Sequence, residues 1–434
     1  MPTPLLAPRN GAVQLIESDP AFADAVDEIL AGTGPIAIDA ERASGFRYSQ
    51  RAYLIQIFRR GGGLHLIDPI PLANSQHIAR LHNALIDQEW VIHASTQDLP
   101  CLREFGISPQ QLFDTELAAR LAGCERVGLG SLTESLLELS LAKEHSAVDW
   151  SLRPLHDEWL IYAALDVDVL LDLRDAVESL LKEQGKLDWA KADFAAILKA
   201  PTPKPRKDPW RRTSGMHTVR DRRALAIVKE LWEKRDEIAR AIDIAPGRLL
   251  NDSSIITLSL KQPRKLSELL AITSFSRGRN DVQRSYFEEW IKAVLRVDHL
   301  QQEELPELRI KADGMPPTKV WRDKFPEAYA RFTHARAALT TLAQELSMPI
   351  ENLISPDSYK RICWLSQNES SLIGNVEEVS RILADFGARS WQIEHVAPLL
   401  ASALCETEPI EILESETEKT AENQAVSPSS NSWS

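Results

Sequence analysis

The stretch Gly34-Pro35-Ile36-Ala37-Ile38-Asp39-Ala40-Glu41 constrains this chain more than any other. Pro35 to Ile38 is a short apolar run with two β-branched residues, bounded by Gly32 and Gly34, and it predicts a buried central strand. The strand runs straight into Asp39 and Glu41. Residues two apart share one face of a strand, roughly 7 Å from each other. Two carboxylates so placed repel, and a hard divalent cation, which favours oxygen ligands, would relieve the repulsion. A surface strand end with two solvated acids fits the same residues, so the motif alone leaves both readings open.

The 434 residues, 44% hydrophobic and 26% charged, suit about three globular domains. No apolar run reaches the about 20 residues that span a bilayer, so no membrane association is expected. Met1 to Asn10 lack the basic start and apolar centre of a signal peptide. Cys101, Cys124, Cys363 and Cys405 have no paired spacing, which argues for the reducing cytoplasm and against zinc fingers or disulfides. The net charge of -13 is uneven. From Cys405 onward, seven glutamates stand against Lys419 in a Ser- and Asn-rich end that reads as a disordered acidic tail, 404–434. Net charge is therefore a weak guide to nucleic-acid binding, and local patches matter more.

Residues Asp19 to Ala31 carry a helical apolar period in Phe22, Ala25, Val26, Ile29 and Leu30. Ala52 to Phe58 and Gly63 to Ile67 read as two strands of a hairpin turning through Arg59–Gly63. Leu72 to Ile86 reads as a helix and Trp90 to His93 as a fourth strand, with a helix opening near Ser95. Leu112 to Asp114 is a fifth strand, with Asp114 or Thr115 capping the next helix. Leu132–Leu141, Leu155–Leu181 and Leu187–Ala200 read as helices. A three-strand meander followed by alternating helix and strand predicts an α/β domain with a mixed five-stranded sheet, over 12–200.

Residues 201–209 hold four prolines and several basic residues without an apolar period, which marks a linker. Beyond it the chain reads as entirely helical. Ile242/Leu346, Ile244/Met348, Leu249/Leu353 and Leu250/Ile354 keep one offset, so two copies of a small helical domain are expected, at 210–300 and, more divergent, at 318–403. Leu305 to Pro317 is the expected joint. Lys204, Arg206, Lys207, Arg211 and Arg212 beside Trp210 suit an RNA backbone by charge and stacking, with a solvated linker as the alternative.

Two more acids stand out. Asp98 follows the strand ending at His93 and falls in the first turn of a helix, where the dipole favours a negative charge. Tyr162 and Asp166 are four apart on a helix and so face the same way. Each has a bland alternative, a dipole-stabilising Asp and a packed Tyr.

The order and combination are more specific than any piece. Asp39-x-Glu41 on a strand, Gln97-Asp98 opening a helix and Tyr162-x-x-x-Asp166 on a later helix resemble the DEDD superfamily of 3′-to-5′ exonucleases, in its tyrosine branch. The sister branch carries His where this chain has Ile161. Leu112-Phe113-Asp114-Thr115, Asp149-Trp150-Ser151-Leu152-Arg153-Pro154-Leu155 and Tyr162-Ala163-Ala164-Leu165-Asp166-Val167 are similar to the ribonuclease D family. That resemblance implies a ribonuclease-H-like exonuclease domain followed by one or two all-α domains of the helicase-and-RNase-D C-terminal (HRDC) type. It covers most of the chain but not the acidic tail. The family commonly has Thr where this chain has Ala40, whose side chain faces away from the acids.

The resemblance implies phosphodiester hydrolysis with two divalent ions, Mg²⁺ or Mn²⁺, about 3.5–4 Å apart. Asp39 would bridge them, Glu41 and Asp166 would help hold the ion that activates water, and Asp98 would serve the other ion through its waters. The Tyr162 hydroxyl would orient the attacking water, since a phenol pKa of about 10 makes a poor base. Lys143, Ser151 and Arg153 are candidates for phosphate contact, or residues of a solvated loop. Gln97 and His93 are further substrate-binding candidates, His93 alternatively packing at the strand end. The expected activity is a cytoplasmic, monomeric 3′-to-5′ exoribonuclease acting on RNA 3′ ends such as tRNA precursors, with HRDC domains that bind nucleic acid. A DNA exonuclease of the same superfamily, a non-catalytic nucleic-acid adaptor and a polymerase proofreading accessory are the competing readings.

Overall fold

The computed structural model describes residues 2–9, 14–142, 148–202, 204–272, 275, 281–309 and 314–410. The α/β domain is built from β1 (Thr3–Leu5), β2 (Leu15–Ile16), α1 (Asp19–Ala31), β3 (Ile36–Arg42), β4 (Ala52–Arg59), β5 (Gly63–Ile67), α2 (His77–Leu85), β6 (Glu89–Ile92), α3 (Leu99–Phe105), β7 (Gln111–Asp114), α4 (Thr115–Leu121), α5 (Leu129–Leu137), β8 (Leu139–Leu141), α6 (Asp157–Asp168), α7 (Leu170–Glu183) and α8 (Leu187–Lys199). The main sheet runs β2-β5-β4-β3-β6-β7. β4 is antiparallel to β3 and β5, and the remaining pairs are parallel. β3 is therefore interior, and Ile36, Ala37 and Ile38 are fully buried in it.

The sheet has a sixth strand beyond the five expected. β2 is two residues long and pairs with β5 at the edge, too short to show a period of its own. α1 follows the sequence closely: the Ser18 hydroxyl accepts from the Ala21 amide, and Phe22, Ala25, Val26 and Ile29 are buried. Its last turn presses on the β4–β5 turn so closely that a Cβ at Gly62 would lie 3.0 Å from the Glu28 carbonyl oxygen.

Two helices differ from expectation. The one predicted across Leu132–Leu141 ends at Glu138, which turns at φ 57°, and Leu139–Leu141 then pairs with Thr3–Leu5 as a parallel strand. That partner lies near the other end of the domain in sequence, where no local period can reveal it. The one predicted across Leu155–Leu181 is two helices, α6 and α7, meeting at Val169.

The helical half contains a structural repeat. Arg222–Ala241, Pro246–Leu249 and Asp252–Lys261 recur, at one constant offset, as Pro326–Glu345, Ile350–Leu353 and Pro356–Leu365. Left-handed residues fall at equivalent places after the long helices, Asp243 at φ 49° and Ser347 at φ 47°. Both copies dock on the α/β domain through this loop. Asp243 accepts from the Ser49 amide at 2.8 Å. The Ser347 carbonyl accepts from Lys186 at 3.4 Å and sits against Gly123, where a Cβ would come within 2.3 Å of it. The second copy is also held by Trp391 stacked on Trp189 at 4.8 Å and by Asp193, which accepts from Arg389 Nε at 2.5 Å. It shares one apolar core with the α/β domain, whereas the first copy has a core of its own around Trp210, Val228, Leu231 and Trp290. Trp210 is buried beneath Arg211, so it does not offer a face for base stacking. The acidic tail beyond residue 410 lies outside the described residues.

Candidate active site

Asp39 and Glu41 emerge from the interior of the sheet on one face of β3 and are opposed on β4 by Gln56 and Leu54. Asp166 arrives from α6, which packs across β3, β4 and β5. These three residues offer ligand atoms that all lie within 4.8 Å of one another. Asp98 lies outside that group. It occupies the cap position of α3, yet its side chain makes no capping bond, so stabilising the helix end is not its use. Its Oδ1 stands 3.6 Å from the Arg42 guanidinium. The four acids, Tyr162, His93, Gln97 and Arg42 line a cleft of ≈ 780 Å³, together with Arg126 and with Gly128–Ser131 where α5 begins.

Burial raises every carboxyl pKa in the cluster, and repulsion between carboxylates adds to it at Glu41, Asp98 and Asp166. Burial lifts Glu41 well above the usual range, with Asp39, Asp166 and Asp98 adding to it. Burial and then Asp39 lift Asp166, against a hydrogen bond from Tyr162. Asp98 is raised to about 8 by burial, then by Asp39, with Arg42 opposing. Asp39 itself is raised by burial, against the Ala40 amide and Arg42. The Tyr162 phenol is pushed up by burial, then by Asp166 and Glu41, so it keeps its proton and acts as a donor. Among the described residues, Arg42 is the cation acting on Asp39, Glu41 and Asp98.

This donor set fits hard divalent cations: oxygen ligands only, more negative charge than one guanidinium offsets, and a recess open to a cleft. Gln56 adds a further sign. It is fully buried directly across from Asp39, and neither amide atom has a hydrogen-bond partner among the described residues.

The remaining candidates separate. His93 Nδ1 pairs with the Thr115 hydroxyl at 2.9 Å, and burial lowers its pKa, which keeps the ring neutral at the cleft wall. Gln97 accepts from Arg42 at 3.2 Å. Lys143 lies outside the described residues. Arg153 is corrected: it donates to Asp68 at 2.5 and 2.7 Å and to the carbonyls of Tyr53, Trp150 and Leu152. These five bonds use every guanidinium N–H, leaving none for a phosphate. Ser151 is corrected too. Its hydroxyl donates to Asp149 and accepts from Arg47 at 2.7 Å, tying two loops together outside the cleft lining. Sequence reasoning missed Arg42 and Arg126. Arg42 adjoins Glu41, and strict alternation sends it to the other face. The ladder slips there, with Leu54 opposite Glu41 but Ala52 opposite Arg42, and the Arg42 side chain lies in the same cleft as the acids.

Residues 13–182 match the family model described as 3'-5' exonuclease. Residues 224–294 match the HRDC domain, and 314–404 the 3' to 5' exonuclease C-terminal domain. Fold and site together define an exonuclease-type domain of ribonuclease-H-like fold, followed by a helical HRDC region. The chain is 31% identical to the Ribonuclease D of Zymomonas mobilis over 282 residues, 63% of this chain and 70% of that one. It is 32% identical to the Ribonuclease D of Gluconacetobacter diazotrophicus over 250 residues, 56% of this chain and 62% of the relative, so that match spans less than two thirds of the relative's length. The chain belongs to the ribonuclease D family. A crystal structure of a protein from Bifidobacterium adolescentis superposes with a TM-score of 0.84 at 37% identity, covering 93% of this chain and 100% of that one. Escherichia coli RNase D shares the fold, with a TM-score of 0.58 at 24% identity over 87% of this chain and 100% of its own.

Proposed function

We propose that this chain is a divalent-metal-dependent 3′-to-5′ exoribonuclease that trims RNA 3′ ends, tRNA precursors among them. The observation that carries the reading is the convergence of Asp39, Glu41 and Asp166 within 4.8 Å of one another, with Tyr162 hydrogen-bonded to Asp166 in the same cleft. Asp39, Glu41 and Asp166 would hold one divalent cation, and Asp98, in the same cleft, would help to hold a second. Divalent cations there supply Lewis acidity, lowering the pKa of water and relieving charge on the leaving oxygen. Tyr162, kept protonated, orients the water between Asp166 and the scissile phosphate. His93 and Gln97, at the wall of the cleft, meet the terminal nucleotide.

The domain division belongs to the same reading: exonuclease at 12–200, linker at 201–209, HRDC at 210–300, a second HRDC-like unit at 318–403 and a tail from 404. The helical units extend the RNA-binding surface. The protein acts in the cytoplasm as a monomer. That placement is in keeping with four free cysteines, of which Cys101 and Cys363 are buried with thiols pushed up to about 12, and with the absence, among the described residues, of any helix long and apolar enough to cross a membrane.

The test is digestion by the full chain of a tRNA carrying extra 3′ nucleotides and of the matching single-stranded DNA. Nucleotide release from the RNA end with Mg²⁺ or Mn²⁺, and none with EDTA, is the expected result. RNA hydrolysis in EDTA would overturn the metal-dependent reading, and preference for the DNA would overturn the substrate.

A further inference from the structure

Arg42 and Arg153 make an instructive contrast. Arg153 is fixed by five hydrogen bonds. Among the described residues Arg42 has one, to Gln97 at 3.2 Å, and a looser ion pair to Asp98 at 3.6 Å, a distance beyond hydrogen-bond geometry. Its Nε is buried with no partner among the described residues. So it carries a full charge into the cleft and is weakly tethered there. The acids divide in the same way. Asp39, Glu41 and Asp166 already stand within 4.8 Å of one another, while Asp98, outside that set, is the acid that faces Arg42.

We propose that Arg42 is a positioning residue that competes with a cation for Asp98, so that the three-carboxylate position fills first and the Asp98 position second. The three-carboxylate position is assembled without any movement of a protein cation. The Asp98 side opens only when the guanidinium leaves, because a divalent ion and Arg42 compete for one carboxylate. The phosphate backbone of an arriving RNA offers the displaced guanidinium a partner of matching geometry. Nucleotide binding and filling of the second position thereby favour each other. The inference rests on the metal-dependent reading above.

The experiment is titration calorimetry of the full-length protein, stripped with EDTA, with Mn²⁺ and no nucleic acid. The wild-type chain is expected to bind one Mn²⁺ and then a second at least about 10-fold more weakly. Arg42→Gln should tighten the second constant by about 10-fold and leave the first within a few-fold. Gln97→Leu, which loosens the guanidinium without removing its charge, should tighten the second constant by a smaller factor, and it serves as the test should the Gln variant fail to fold. A second constant unmoved in both variants, or two constants tightened equally, would overturn the role of Arg42 while leaving the metal reading intact. No Mn²⁺ binding by the wild-type protein would overturn the metal reading, and this inference with it.

Discussion

Replacing Asp39 by Asn should stabilise the metal-free protein and remove its stabilisation by metal. Asp39 adds to the raised pKa of Glu41, Asp98 and Asp166 alike. Two ionised carboxylates at the 4.8 Å limit of the cluster repel by about 3.5 kcal/mol at an effective dielectric constant of about 20. Protonation relieves part of this, so the observable gain is smaller, about 1–3 kcal/mol. The pH dependence follows from the raised pKa values. The folded chain holds protons that the unfolded chain has released above about pH 4, so metal-free stability falls as pH climbs towards the folded values, about 8 for Asp98. The advantage of the Asn variant should therefore be small at pH 6 and largest at pH 8. The Asn side chain keeps an oxygen for the Ala40 amide, so the local backbone contact survives. Differential scanning calorimetry of the full chain in EDTA reads the effect as a rise of roughly 1–2 °C per kcal/mol. With Mn²⁺ at about 1,000 times its Kd, the wild type gains about 4.1 kcal/mol, the variant little, and the order reverses. An Asn variant that melts no higher than wild type at pH 8 in EDTA would refute the claim that the metal-free cluster is repulsive.

Tyr162→Phe removes only the hydroxyl, so kcat should fall by about 10²-fold with KM for RNA and Mn²⁺ affinity little changed; steady-state kinetics with chemistry rate-limiting check this, and an unchanged kcat would move Tyr162 out of the active site. Arg153→Ala should act on the fold and not on the substrate. It leaves Asp68 buried without its bidentate partner, at a cost of about 3 kcal/mol, while KM for RNA stays at its wild-type value. Asp193→Ala removes the acceptor of Arg389 and Trp391 and should cost about 2 kcal/mol, read as faster proteolysis between the exonuclease domain and the second helical unit. Because raised carboxyl groups must lose protons to bind a cation, Mn²⁺ affinity should strengthen from pH 6 to pH 8; calorimetry in two buffers of different ionisation enthalpy would count the protons released.

Local periodicity and residue order determined a good deal of this protein. The buried run into Asp39 and Glu41, the apolar face of α1, the β4–β5 hairpin and the offset that relates the two helical units are all written in stretches of a few dozen residues, and helix and strand periods report such stretches well. Spacing also put Tyr162 and Asp166 on one helix face, where they are hydrogen-bonded. Tertiary structure decided the rest, because it depends on which distant groups end up touching. Folding brings Asp166 from α6 to the end of β3 and pairs β8 with the N-terminal strand. It buries Trp210, whose sequence neighbours suggested an RNA platform. It consumes every donor of Arg153, which in sequence looked ready for a phosphate. A slip of register beside Glu41 leaves Arg42 in the cleft. Sequence shows which charges a chain carries, but whether a charge meets solvent, substrate or a buried partner is set by long-range contacts that no local pattern encodes.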